Sequence, residues 1–71
     1  MKKTLLIEGM SCNHCKMRVE KALSDVVGID GVAVDLATKT AVVTLSQEIE
    51  DAVLIEVIDD AGYDVVEVKV Q

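Results

Sequence analysis

The hydrophobic pattern of the chain switches repeatedly between alternation and helical spacing, and the order of those switches limits the fold more than any other feature. Lys3 to Glu8 is a β-rich run closed by Gly9. From Asn13 to about Val26 the apolar residues Cys15, Val19, Ala22, Leu23 and Val26 recur at three- and four-residue spacing, which predicts an amphipathic helix ended by Gly28. Val32, Val34 and Leu36 then alternate, as does Thr40 to Leu45. The short Ala37-Thr38-Lys39 connection predicts a hairpin, although the usual Asn-Gly signal is missing. A second helix fits Glu50 to Ala61, with Leu54, Ile55, Ile58 and Ala61 on one side and Glu56, Asp59 and Asp60 on another. Gly62 stops it, and Asp64 to Val70 alternates as a last strand.

Strand, helix, strand, strand, helix, strand is the ferredoxin-like βαββαβ order. It predicts an α+β sandwich, a four-stranded antiparallel sheet with both helices on one face. A chain of 71 residues has room for one core, so residues 1–71 are expected to form a single domain. Tyr63 is the sole aromatic, so that core must be built from Val, Ile, Leu and Ala. The sequence shows no proline, no Ser/Gly-rich linker and no repeat at solenoid periods.

Thirteen acidic residues against seven basic ones give a formal charge of −6, which repels phosphate backbones and anionic lipid. Nucleic-acid binding and direct membrane insertion are therefore not expected. Met1-Lys2-Lys3 resembles the start of a signal peptide, but only Leu5-Leu6-Ile7 follows before Glu8 and Gly9, too short for a secretory segment. The expected location is cytoplasmic.

In a reducing compartment, cysteines three positions apart read as metal-binding or catalytic, because a disulfide across so small a loop restrains the unfolded chain little. The element order places Cys12 in the loop after the first strand and Cys15 in the first helical turn. A thiolate binds metal, so the local field must favour negative charge. The helix N-terminus is expected to supply that field, with Lys16 and Arg18 adding cationic charge nearby. A closed structural zinc site wants four protein donors, and this chain offers two Cys and one His. Two thiolates with an open periphery suit Cu(I), a soft ion, and leave room for an incoming thiolate to join before an outgoing one departs.

Gly9-Met10-Ser11-Cys12-Asn13-His14-Cys15 resembles the Gly-Met-x-Cys-x-x-Cys signature of heavy-metal-associated domains. That family includes bacterial copper chaperones and the N-terminal metal-binding modules of copper-transporting P-type ATPases. The likeness runs on through Val19-Glu20-Lys21-Ala22-Leu23, the Val32-to-Val43 hairpin and Ala61-Gly62-Tyr63. It implies that Cys12 and Cys15 are the metal ligands and that Tyr63 belongs to a loop bordering them. Zinc- and lead-handling relatives often carry an acidic residue directly before the first Cys; Ser11 stands there in this chain, which favours Cu(I), with Zn(II), Cd(II) or Hg(II) as the alternatives. The implied activity is delivery of the ion to a heavy-metal P-type ATPase or another copper-accepting protein, and no catalytic residue is expected. The start at Met1 and the end just after the last strand favour a stand-alone carrier over an excised ATPase module.

Three further side chains border the pair. Met10 carries a thioether but is expected to pack beneath its loop. His14 reads as a solvated histidine, with ligation in a second chain as the alternative. Tyr63 is either a neighbour of the thiolates, hydrogen-bonding near a sulfur, or a cap over the core edge. The apo chain is expected to be a monomer, with two chains able to share Cu(I) through four thiolates. A thiol–disulfide oxidoreductase also uses CxxC at a helix start, yet the Trp and Pro that usually accompany it are absent from the chain. A bare interaction module using the open sheet face leaves the cysteines unexplained.

Overall fold

The computed structural model describes residues 1–70; Gln71, the last residue of the expected domain, lies outside the described residues. The elements run β1 (Lys2–Glu8), α1 (Asn13–Ser24), β2 (Ile29–Asp35), β3 (Thr40–Leu45), α2 (Asp51–Asp60) and β4 (Asp64–Val70). The four strands form one sheet in the order β2-β3-β1-β4, every neighbouring pair antiparallel. This is the expected ferredoxin-like sandwich.

Alternation decides which strand face is covered. Lys3, Leu5 and Ile7 of β1 and Ala41, Val43 and Leu45 of β3 are buried, while Thr4, Leu6, Val42 and Thr44 between them are only half-buried. The covered face meets Val19 and Leu23 of α1 and Leu54 and Ile58 of α2, all without solvent contact. Removing such aliphatic surface from water contributes about 1.5–3 kcal/mol per side chain, which is what holds helices this short to the sheet.

Most boundaries agree with the pattern-based reading to within one residue, and two differ by more. Helix α1 ends at Ser24 rather than near Val26, because the Val26 N–H turns back to the Leu23 carbonyl at 3.1 Å and tightens the last turn. Gly28 lies beyond it at φ +102, in the turn that enters β2. Strand β2 starts at Ile29, ahead of the first alternating valine, with an irregularity in its pairing between Ile29 and Gly31.

One apolar assignment is corrected. Ile55 was expected on the inner side of α2, yet it is 41% exposed, and Val57 packs on the core instead. Rotation of about 100° per residue sets Ile55 off to one side of the Leu54–Ile58 line, over the margin of β4. Ile49, just before the helix, is buried in the core and occupies the place of a hydrophobic staple with Leu54.

Candidate metal centre

Three connections converge at one end of the sandwich: the β1–α1 loop, the β2–β3 turn and the α2–β4 turn. The Ile7 N–H donates to the Lys39 carbonyl at 2.8 Å, tying the end of β1 to the hairpin turn. Gly9, at φ +97, then takes the chain off the strand in a conformation that L side chains rarely adopt. Met10 turns inward and joins the core, which anchors the loop from below and leaves Ser11 and Cys12 exposed.

Cys12 is the N-cap of α1, in extended conformation, and the Lys16 N–H donates to its carbonyl at 3.1 Å. No side chain caps the helix and no acidic residue occupies its first turn, so the positive end of the helix is not neutralised locally. Cys15 follows one turn later, half-buried against the core, and its Sγ stands 3.5 Å from Cys12 Sγ. Both cysteines are free thiols. Among the described residues there is no cluster of three or more His, Cys, Asp or Glu side chains placed to hold a metal ion.

The Cys15 thiol is lowered from 9.0 to about 6. The largest cause is the Tyr63 phenol, which faces the sulfur as a donor; the Ser11 backbone N–H comes next, then the Cys12 thiol. Partial burial opposes them. Lys16 and Arg18, expected to supply cationic charge, are not among the causes. Lys16 lines the cleft beside the β2–β3 hairpin instead, and Arg18 acts on Tyr63. The phenol itself is raised, first by its contact with Cys15, as befits a donor to a thiolate.

Local sequence puts Tyr63 there. Gly62 adopts φ +98 after α2, its N–H donating to the Asp59 carbonyl at 3.0 Å while the Tyr63 N–H donates to the Ile58 carbonyl at 3.1 Å. This double closure is a Schellman end, and it delivers the next side chain back against the helix it terminates. Tyr63 is 9% exposed and belongs to the core, so it both caps the core edge and serves the sulfur. His14, by contrast, is the second residue of α1, and it is exposed.

Comparison with known proteins follows the same lines. The family model for the heavy-metal-associated domain matches residues 4–64. Copper chaperone CopZ of Enterococcus hirae is 34% identical over 89% of this chain and 93% of its own length. Copper-transporting ATPase 1 of Rhizobium meliloti is 43% identical over 89% of this chain, but the match spans only 8% of that protein. A solved structure of a CopZ metallochaperone superposes with a TM-score of 0.87 at 36% identity, covering 93% of this chain and all of that one. Sequence, topology and the placement of the thiol pair agree: the chain belongs to the heavy-metal-associated domain family.

Proposed function

We propose that this chain binds a single soft metal ion, Cu(I) before Zn(II), Cd(II) or Hg(II), between Cys12 and Cys15, and passes it on by thiolate exchange. The observation that carries this reading is the 3.5 Å approach of two free thiols at an exposed helix start, one of them lowered to about 6. Binding releases the thiol protons, and the excess negative charge of a dithiolate around a monovalent ion is held by the Ser11 and Cys12 N–H groups and by the Tyr63 phenol.

Transfer uses the unequal exposure of the pair. Cys12 is exposed and Cys15 half-buried, so an incoming thiolate reaches the ion on the Cys12 side, adds as a third sulfur, and lets Cys12 leave first. Each step exchanges one metal–sulfur bond for another, and the oxidation state does not change. The chain acts as a stoichiometric carrier, in the cytoplasm, whose acceptor is a CxxC domain such as that of a copper-transporting P-type ATPase. A second reading, a module within such an ATPase, uses the same chemistry and is favoured by the 43% likeness to a segment of one. In either setting, two chains sharing an ion through four thiolates, with His14 near the junction, form a metal-dependent dimer.

Anaerobic titration of the reduced protein with Cu(I), and separately with Zn(II), against a competing chelator tests the reading. Thiolate-to-metal ultraviolet absorption should saturate near one Cu(I) per chain or per pair of chains, and Cys12→Ser with Cys15→Ser should abolish it while leaving the metal-free fold intact. Tighter binding of Zn(II) reassigns the cargo, and binding of neither ion removes the proposal.

A further inference from the structure

The solvent side of α1 carries two soft donors that the thiol pair does not use. Cys15, Val19 and Leu23 turn toward the core. At about 100° per residue, His14 and Met17 fall on the far side of the helix from them. Both are exposed, Met17 at 66%. They are three positions apart on one helix, which sets their Cβ atoms about 5–6 Å apart. A long side chain in a helix leans back over the turn before its own Cα, so the Met17 thioether is directed toward His14. Metal–nitrogen and metal–sulfur bonds of roughly 2.0–2.3 Å let one ion bridge a gap of that size. Met10, the thioether that precedes the thiol pair, is buried in the core and stays out of reach.

We propose that the His14 imidazole and the Met17 thioether form a second, weaker site for a soft monovalent ion such as Cu(I) or Ag(I), separate from the thiolates. Thioether sulfur selects soft ions and neutral imidazole accepts them, whereas magnesium and calcium need oxygen donors that this pair lacks. Neither donor carries a charge to offset the ion's own. Arg18 and Lys21 stand exposed along the same side of α1, and the positive end of the helix lies within a turn. The surrounding field therefore opposes a cation, and the site holds its ion far less tightly than two thiolates do. It fills only after the thiol pair is occupied, and a chelator that leaves an ion on the thiolates strips it. An ion at this site is open to solvent on a face that does not touch the core, so it exchanges without any movement of the Cys loop. Two sites of unequal strength let the chain hold a tightly bound ion and a loosely bound one at once.

The test uses the full chain with Cys12→Ser and Cys15→Ser, which removes the thiolates and leaves α1 as it is, titrated with silver nitrate at slightly alkaline pH. Ag(I) is a soft monovalent probe that does not change oxidation state in air. Proton–carbon NMR resolves the three methionine methyl groups and the ring of the sole histidine. The Met17 methyl and the His14 ring should shift together and saturate at one ion per chain, while the buried Met10 and the exposed Met1 stay unmoved. Met17→Leu and His14→Gln should each weaken binding at least about tenfold, since losses outside the donor set alone are worth that much. Zn(II) should shift the His14 ring without the Met17 methyl. Wild-type protein already carrying one Ag(I) gives the same readout with the thiols intact: a second equivalent should move His14 and Met17. A Met17 methyl that does not shift, one that shifts equally in His14→Gln, or an equal shift at Met1 overturns the proposal. None of these outcomes bears on the thiol pair, whose own titration stands apart.

Discussion

The ring of Tyr63 lies directly against the backbone of Gly9: a Cβ placed on residue 9 would stand 3.3 Å from Tyr63 Cδ1. The glycine therefore serves the site twice, through its φ of +97 and through the space it leaves for the ring. Gly9→Ala is expected to destabilise the metal-free protein by about 1–2 kcal/mol from the left-handed backbone alone. By pushing Tyr63 off the sulfur it should also raise the Cys15 thiol. Urea unfolding and the pH dependence of thiol alkylation read the two effects separately; a stability loss with an unmoved alkylation profile would mean the ring contact does not matter to the thiolate.

A thiol at about 6 instead of 9.0 makes stability depend on pH in a definite direction. The folded chain holds its Cys15 proton less tightly than the unfolded chain does. The resulting stabilisation is present in full above 9.0, shrinks as pH falls, and is gone below about 6. Reduced, metal-free protein should therefore gain resistance to urea between those values. Tyr63→Phe removes the largest cause, so the gain should be smaller and the alkylation midpoint should move up. An unchanged midpoint in Tyr63→Phe would assign the lowered thiol to the Ser11 and Cys12 groups alone.

The least expected residue is Lys3, which is 6% exposed within the covered face of the sheet. Its Nζ donates to the Ile49 carbonyl and to Asp51 Oδ1, the latter at 2.7 Å, pinning β1 to the start of α2. Lys3→Met keeps the aliphatic stem but leaves the Ile49 carbonyl without its donor, and should cost about 1–3 kcal/mol. Asp51→Asn should cost less, about 1 kcal/mol or under, because Asp51 is 48% exposed and water screens the pair. Equal losses in the two variants, measured by urea unfolding, would show that the ion pair and not the carbonyl contact holds the helix.

What could be read from the sequence was whatever depends on neighbours along the chain. Alternation and helical spacing located all six elements, and the thiol pair fell at the start of α1 because Gly9 and the Cys15–Val19 spacing are local signals. Lys3 was in phase with Leu5 and Ile7 and so pointed inward, but a lysine beside the chain start reads as solvated unless its distant partners at residues 49 and 51 are known. The source of the lowered Cys15 thiol was hidden for the same reason. Lys16 and Arg18 are its neighbours in sequence, whereas the group that acts on it arrives from the far end of α2. Ile55 was misplaced because a short helix at the edge of a sheet buries a narrower stripe than its apolar residues span.

The hairpin between β2 and β3 stores strain at one residue. Lys39 is the only non-glycine at positive φ among the described residues, at 58°, and its carbonyl receives the Ile7 N–H at 2.8 Å. Asp35 Oδ1 accepts from the Ala37 N–H at 2.8 Å and so sets the first half of the turn, leaving Lys39 to reverse the chain into β3. A left-handed residue costs about 1–2 kcal/mol when it carries a Cβ. Glycine avoids that cost but gives back about 0.5–1 kcal/mol through the freedom it adds to the unfolded chain. Lys39→Gly should thus stabilise the protein by about 0.5 kcal/mol, the difference between those effects. Lys39→Val should destabilise it, because a β-branched side chain tolerates this conformation worst. Lys39 is exposed, so packing does not confuse the comparison. Thermal unfolding of the three proteins in parallel should rank them Gly, Lys, Val at position 39; if Val matched Lys, the turn would have relaxed and the carbonyl bond to Ile7 would not be what fixes its shape.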